Sequence, residues 1–217
     1  HLLPSPCCRL AVMAAHRSPP ATARNSPCRH SHRRRVRVPR ATKRGSDGGL
    51  GAPPYTVVRR REGYELRVYD AYTVARVRYE NRPEGIEVLA RYFDGANAEG
   101  TKLPPTQPLC MRYAPSGEGP EEGLDKTLEL LVASVSPPTS TEERVALAPA
   151  GGELVAALAF SGYATPDAIM EAKECLKSAL EVDGVKVKSE AFRVNQFGPL
   201  FQLQERTNEL LLEVALG

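Results

Sequence analysis

Apolar and polar residues alternate along much of the chain from residue 55 onward. Tyr64–Tyr69 and Tyr72–Tyr79 alternate with a period of two and are rich in aromatic and β-branched residues. This pattern is typical of strands with one buried face. A short edge strand is also predicted at 185–188, where lysines discourage pairing between molecules. The same criteria predict further strands at 55–58, 109–113, 127–135, 144–148, 154–160, 192–196 and 210–214.

Residues 83–93 change to the helical period. Ile86, Leu89, Ala90 and Phe93 are spaced three, four and seven positions apart, so they line one face of a predicted helix. An apolar helix face at this spacing is most often part of a core, and that interpretation stays beside any functional one.

A second helix is predicted from residue 165. Thr165–Asp167 supplies an N-cap side chain, a proline in the first position and a carboxylate in the first turn. Gly184 follows the last turn, where a left-handed residue commonly ends a helix. Apolar residues then line one face of this segment: Ile169, Ala172, Leu176, Ala179 and Leu180.

A strand, a helix and an Asp-Gly pair follow one another twice. The strand at 73–77 leads to a helix ending at Asp94-Gly95, and the strand at 154–158 leads to one ending at Asp183-Gly184. The repeat indicates two β-rich halves, each with one helix, that close a mainly antiparallel sheet or barrel.

The first forty residues differ in composition from the rest. They contain nine arginines, all four histidines of the chain and no carboxylate. This composition is typical of an organelle transit peptide, and the longest apolar run is too short for a secretory signal. We therefore predict a plastid transit peptide at 1–40, cleaved near Arg40–Ala41, and a flexible Gly/Pro-rich linker at 41–54. A basic arm for nucleic acid around Arg33–Arg35 is the alternative.

Removing this segment reverses the net charge. The whole chain has a formal net charge of +3, whereas residues 41–217 contain 20 basic and 26 acidic residues, a net charge of −6. A mildly acidic domain repels nucleic acid, so no nucleic-acid partner is predicted. No run approaches the roughly 18 apolar residues of a membrane span, so no transmembrane segment is predicted.

The sequence after residue 40 lacks the residues of most catalytic sites. It contains no histidine, which excludes histidine-dependent triads and general bases, and no GxGxxG, P-loop or GxSxG motif. Cys110 and Cys175 lack metal-binding spacing and are predicted to be buried thiols. We therefore predict a protein that is not an enzyme, with no catalytic residues and no metal site.

Five motifs follow one another between residues 55 and 209. They are YTVV with GYELRVY (55–69), LARYFDGANAEG (89–100), TKLPPTQPL (101–109), FSGYAT (160–165), and NQFGP with RTNE (195–209). In this order they resemble the SOUL haem-binding protein family, in its plastid-targeted plant or algal type. The third motif departs from the family pattern M-x-M-T-x-P-V, because Leu103 and Pro105 replace both methionines. The resemblance spans Tyr55 to Val214, and we place a SOUL domain at 55–217.

The resemblance implies a fold class and a ligand. The fold is α+β, a distorted antiparallel β-barrel of two pseudo-symmetric halves with two flanking helices. The ligand is haem or a related tetrapyrrole, held non-covalently. Because no histidine follows residue 32, binding without a histidine axial ligand is expected. The remaining possible axial ligands are each more simply core residues: Cys110, Met111, Met170, Cys175 and the tyrosines.

By family position, the ligand groove lies between the first helix and the loop before the last strand. A porphyrin is a flat apolar disc with two carboxylates, so it needs apolar walls and cations at its edge. Arg91 stands where the family has lysine and is the expected partner of a propionate. The expected apolar wall consists of Ile86, Leu89, Ala90, Phe93, Phe197, Pro199, Leu200 and Phe201.

Three functional hypotheses remain open at this point. The first is a carrier, buffer or sensor of a tetrapyrrole in the plastid (chloroplast). The second is a non-catalytic structural or interaction module of a plastid lipid body or algal eyespot, and the third is a small-molecule effector domain. An exposed apolar patch beside the first helix favours binding, whereas a fully packed helix favours the structural hypothesis. The sequence leaves protein partners open.

Overall fold

The structure is a computed structural model, and it describes residues 51–116, 123–198 and 207–216. Nine strands and two helices lie within these ranges. Their bounds are β1 Tyr55–Arg60, β2 Glu65–Tyr69, β3 Tyr72–Arg78, α1 Arg82–Phe93, β4 Leu109–Pro115, β5 Leu124–Leu131, β6 Val145–Ala150, β7 Leu154–Ser161, α2 Pro166–Val182, β8 Lys186–Gln196 and β9 Thr207–Ala215.

The nine strands form one antiparallel sheet in the order β1-β2-β7-β9-β8-β4-β5-β3-β6. The chain contains two similar units, β2-β3-α1-β4-β5 and β6-β7-α2-β8-β9. If each element is replaced by its counterpart in the other unit, the strand order from β2 to β6 becomes the same order read backwards. A pseudo-two-fold axis therefore passes between β4 and β8. The curled sheet with its two helices confirms the predicted α+β distorted barrel of two halves.

Both helices pack against one face of the sheet, and the main core lies between the helices and that face. Burying one such large apolar side chain stabilises the fold by roughly 1.5–3 kcal/mol. The opposite face, which we call the open face, carries a smaller apolar cluster and most of the buried charges. The largest fully buried core side chains include Leu66, Met111, Leu128, Leu210 and Leu212 from strands, and Leu89, Tyr92, Leu176 and Leu180 from helices.

The predicted helix ends are confirmed. The Thr165 hydroxyl accepts a hydrogen bond from the backbone N–H of Ala168 at 3.2 Å, as an N-cap does. Asn81 plays the same part for α1. Gly95 and Gly184, which follow the two helices, have φ angles of +115° and +68°, in the left-handed region that favours glycine.

Two strand predictions differ from the structure. The predicted edge strand at 185–188 is the beginning of the longer β8, which lies between β9 and β4, although only 192–196 also pair with β4. The predicted strand at 127–135 instead runs as β5 from 124 to 131. β5 begins earlier than predicted because its first residues, although polar, pair with β4 through their backbone groups.

The last residues of the predicted linker lie against the fold. Gly51 forms a β-bridge with Thr106, and its carbonyl accepts a hydrogen bond from the N–H of Gln107 at 2.8 Å. The Pro54 carbonyl accepts one from Asp70 at 3.0 Å. The flexible linker at 41–54 stays a prediction, and within it the backbone groups of Gly51 and Pro54 have partners in the domain. The rest of it lies outside the described residues.

Candidate functional site

The buried face of α1 is rotated from the predicted one. The buried residues are Gly85, Val88, Leu89 and Tyr92, so only Leu89 belongs to both sets. Glycine at position 85 allows a close approach, since a Cβ there would stand 2.9 Å from the Cβ of Tyr79. The Tyr92 hydroxyl donates to the Pro138 carbonyl at 2.8 Å, which allows this polar group to be buried.

The rotation leaves an apolar row on one flank of the helix. Ile86 and Phe93 are half-buried and Ala90 is exposed, whereas Leu89 is 1% exposed and belongs to the core. We call Ile86, Ala90 and Phe93 the α1 stripe. Beside its last residue, the N–H of Leu103 donates to the Phe93 carbonyl at 2.8 Å, so the loop that follows α1 borders the stripe.

The first turn of α1 is joined to the end of β8. Arg82 precedes Ile86 by one helical turn, and its guanidinium donates a hydrogen bond to the side-chain oxygen of Gln196. Phe197 follows at once and is half-buried, and its N–H donates to the Thr207 carbonyl at 3.0 Å. The helix that carries the α1 stripe is thus linked to the residue that precedes Phe197, the first residue of the second expected wall. The other expected wall residues, Pro199, Leu200 and Phe201, lie outside the described residues.

Arg91 lies on the other flank of α1. Its guanidinium donates to both carboxylate oxygens of Glu142, at 2.9 and 3.0 Å, and to Glu87 at 3.4 Å. Hydrogen bonding to Glu142 raises the pKa of Arg91, and the same bond lowers the pKa of the Glu142 carboxyl. Arg82, by contrast, has no carboxylate within ion-pair distance in the part of the chain that the structure describes.

The described residues suit an apolar contact with a porphyrin better than ligation of its iron. They contain no histidine. Burial raises the pKa of the Cys110 thiol to about 12, which disfavours the thiolate that binds iron. Met111 is completely buried in the core. Burial raises the pKa of Tyr69 to about 12, with a smaller contribution from the nearby Glu209 carboxylate. A raised pKa disfavours the tyrosinate form that would bind iron. Met170, on α2, is 45% exposed.

The described ranges also bear on metal binding and on membrane insertion. Among the described ranges, no group of three or more His, Cys, Asp or Glu side chains is arranged to hold a metal ion. No helix in those ranges is both long and apolar enough to cross a membrane.

Buried ion pairs lie on the open face of the sheet, where the apolar periodicity of the sequence gives no signal for them. Arg67 is 7% exposed and pairs with Glu65 and Glu209, each at 2.9 Å. Its guanidinium lies 4.4 Å from the ring centre of Tyr55. Removing one partner of such a buried pair is strongly destabilising, because the remaining charge is left without compensation.

The described residues thus form two helices and one nine-stranded sheet with pseudo-two-fold symmetry. The sequence profile of the SOUL heme-binding protein matches residues 50–213. The chain therefore belongs to the SOUL heme-binding protein family, which is a family of binding proteins.

Solved structures with a similar fold come from other kinds of protein. The EcmrR C-terminal domain has a TM-score of 0.53 and 15% identity, covering 70% of this chain and 96% of that one. EcmrR in a DNA complex with RPo has a TM-score of 0.51 and 17% identity, covering 70% and 56%. A hydrolase from Listeria innocua has a TM-score of 0.52 and 11% identity, covering 73% and 94%. At these identities the likeness shows the fold alone. A comparison with curated proteins finds no match.

Proposed function

We propose that this protein binds haem or a related tetrapyrrole non-covalently, without a histidine axial ligand, between the α1 stripe and the segment that follows β8. Membership of the SOUL heme-binding protein family supports the class of ligand. The observation that supports the location is the hydrogen bond from Arg82 to Gln196, which joins the first turn of α1 to the residue before Phe197.

The α1 stripe suits the flat apolar face of a porphyrin. Ile86, Ala90 and Phe93 share one flank and keep part of their surface in contact with solvent. A ligand that covers them gains roughly 25 cal/mol per Å² of apolar surface removed from water. Ile86 and Phe93 also pack against the core, so it is the remaining accessible part of the stripe, with Ala90 at its middle, that supports binding. Leu89, the fourth expected residue of the helix, is buried in the core beneath the stripe.

The propionates of the ligand need cations at its edge. Arg91, the residue expected from the family pattern, would have to exchange its bidentate bonds to Glu142 for bonds to a propionate. Arg82 has a neutral amide partner and lies on the same flank as the stripe. We therefore propose Arg82 as the propionate partner and keep Arg91, on the other flank, as the alternative.

A charge placed in the stripe tests this location. Ala90→Glu puts a carboxylate at an exposed position in the middle of the proposed contact, so protoporphyrin binding should weaken by tenfold or more, about 1.4 kcal/mol. Ser178→Glu adds the same charge at an exposed position of α2 and serves as the matched control. Binding is measured by quenching of porphyrin fluorescence. Equal affinities of the two variants would place the ligand elsewhere.

We further propose that the protein acts in the plastid as a carrier, buffer or sensor of its ligand. The acid-free, arginine-rich composition of residues 1–40 supports import. Import into isolated chloroplasts, followed by N-terminal sequencing, should give a mature protein that begins near Ala41. Retention outside the organelle, or a new N-terminus within 55–69, would contradict the proposal.

A further inference from the structure

A cleft with a volume of about 270 Å³ lies on the open face, over the β4–β8 pair at the pseudo-two-fold axis. Side chains alternate between the two faces of a strand. Met111 and Val194 therefore point into the core below the helices, while their neighbours Arg112 and Arg193 point into the cleft. Arg76 on β3 also lines it.

All but one of the positive charges around this cleft have carboxylate partners. Within the described residues, no carboxylate lies within ion-pair distance of Arg112, which is half-buried. The cleft therefore holds one uncompensated positive charge. The other two lining cations form the ion pairs Arg76–Glu129 at 2.7 Å and Arg193–Glu153 at 2.5 Å. The lining carboxylate of Glu213 pairs with Lys188 at 2.9 Å.

The position of Arg112 makes this charge unfavourable for the empty fold. Arg112 and Arg193 are directly opposite each other in the β4–β8 ladder. Like charges directly opposed across two strands destabilise a sheet. Arg193 is compensated by Glu153, but Arg112 is not. A local arrangement that costs stability without a structural gain is expected mainly at functional sites.

We propose that this cleft binds a small organic carboxylate, whose two oxygens accept hydrogen bonds from the guanidinium of Arg112. A planar guanidinium matches a carboxylate in a bidentate geometry. Pro149, Ala191 and Leu211 supply apolar walls for the body of the ligand, and the Ser189 hydroxyl offers a further polar contact.

The volume of the cleft limits the size of this ligand. Pockets for drug-sized molecules measure about 300–1,000 Å³, so about 270 Å³ accommodates a ligand of roughly one ring rather than a tetrapyrrole. The cleft is also separated from the α1 stripe by the sheet itself, since the helices cover the other face. The proposed carboxylate site is thus independent of tetrapyrrole binding.

Benzoate and benzamide, added separately to the ¹⁵N-labelled full-length chain, test the proposal. The two probes have the same shape, but only benzoate carries the charge. We expect saturable shifts of the amide signals of Gly151, Ala191 and Arg193 with benzoate in the millimolar range, and much smaller shifts with benzamide. Benzoate affinity should also fall as the salt concentration rises, because the interaction is electrostatic.

Arg112→Gln should weaken benzoate binding by about tenfold or more, which is the usual effect of removing a charged hydrogen-bond donor. Arg59→Gln removes the same charge from an exposed position on β1 and is the matched control, which should bind benzoate like the wild type. The thermal midpoint of Arg112→Gln should equal or exceed that of the wild type, because the variant removes a like charge opposite Arg193. Its protoporphyrin affinity should match that of the wild type. Equal binding of benzamide, absence of saturation by benzoate, or unchanged affinity in Arg112→Gln would each overturn the proposal.

Discussion

Replacing Gly85 by alanine tests how closely α1 approaches the sheet. A Cβ at this position would lie 2.9 Å from the Cβ of Tyr79 and 3.0 Å from a terminal methyl carbon of Leu128. The Tyr79 atom is fixed to the backbone and Leu128 is fully buried, so neither moves freely. Overpacking of this kind costs about 1–3 kcal/mol. Alanine instead of glycine favours the helix by about 1 kcal/mol, so we expect a net destabilisation of up to about 2 kcal/mol.

Urea unfolding of the full-length chain, followed by circular dichroism, measures this free-energy difference. Ala90→Gly is the matched control, because it reports the same Ala/Gly difference at an exposed position of α1. This control should lose about 1 kcal/mol, the propensity effect alone. If Gly85→Ala were more stable than the wild type by a similar amount, helix propensity would dominate and the close approach to Tyr79 would be refuted.

Three other predictions follow from named contacts. Tyr92→Phe should lower the free energy of unfolding by about 1–2 kcal/mol, because the buried carbonyl of Pro138 loses its hydrogen-bond donor. Chemical denaturation measures this difference, and a variant as stable as the wild type would contradict the prediction. Burial raises the pKa of Tyr69 to about 12, compared with about 10 in an unfolded chain. The unfolded chain therefore loses the proton first, so stability should hold below about pH 10 and decline toward pH 12; unfolding curves that stay flat up to about pH 11 would contradict this. Arg82→Ala should weaken the binding of haemin and of protoporphyrin alike, by about tenfold, and should do so more than Arg91→Ala. If fluorescence titrations showed a larger effect for Arg91→Ala, the propionates would lie on the other flank of α1.

Local signals in the sequence account for the elements that were predicted well. The start of α2 depends on Thr165, Pro166 and Asp167, and its end depends on Gly184. All four act within one turn of the helix. The structure confirms them, because the N-cap bond to Ala168 and the left-handed glycine need no distant partner.

The orientation of α1 could not be predicted in the same way. Its buried face includes Gly85 and Tyr92, which do not count as apolar in a periodicity argument. Glycine faces the core because of the Tyr79 side chain opposite it, and tyrosine is buried because the carbonyl of Pro138 accepts its hydroxyl. Both causes are tertiary contacts.

The open-face cleft also depends on register. Arg112 and Arg193 become neighbours only when β4 pairs with β8, which the sequence does not specify. A weaker signal was available, since both arginines stand between residues that alternate into the core: Met111 and Tyr113, and Phe192 and Val194. This pattern would have placed both arginines on the face away from the helices, but not beside each other.

Comparison of haemin with metal-free protoporphyrin IX tests metal-independent tetrapyrrole binding most directly. The full-length chain is used with His1, His16, His30 and His32 replaced by alanine, so that no histidine is present. If apolar contact and propionate pairing supply the affinity, the two ligands should bind within about tenfold of each other, a difference of roughly 1.4 kcal/mol. A sharp low-spin Soret band with haemin, together with negligible binding of protoporphyrin, would instead show that a protein side chain holds the iron.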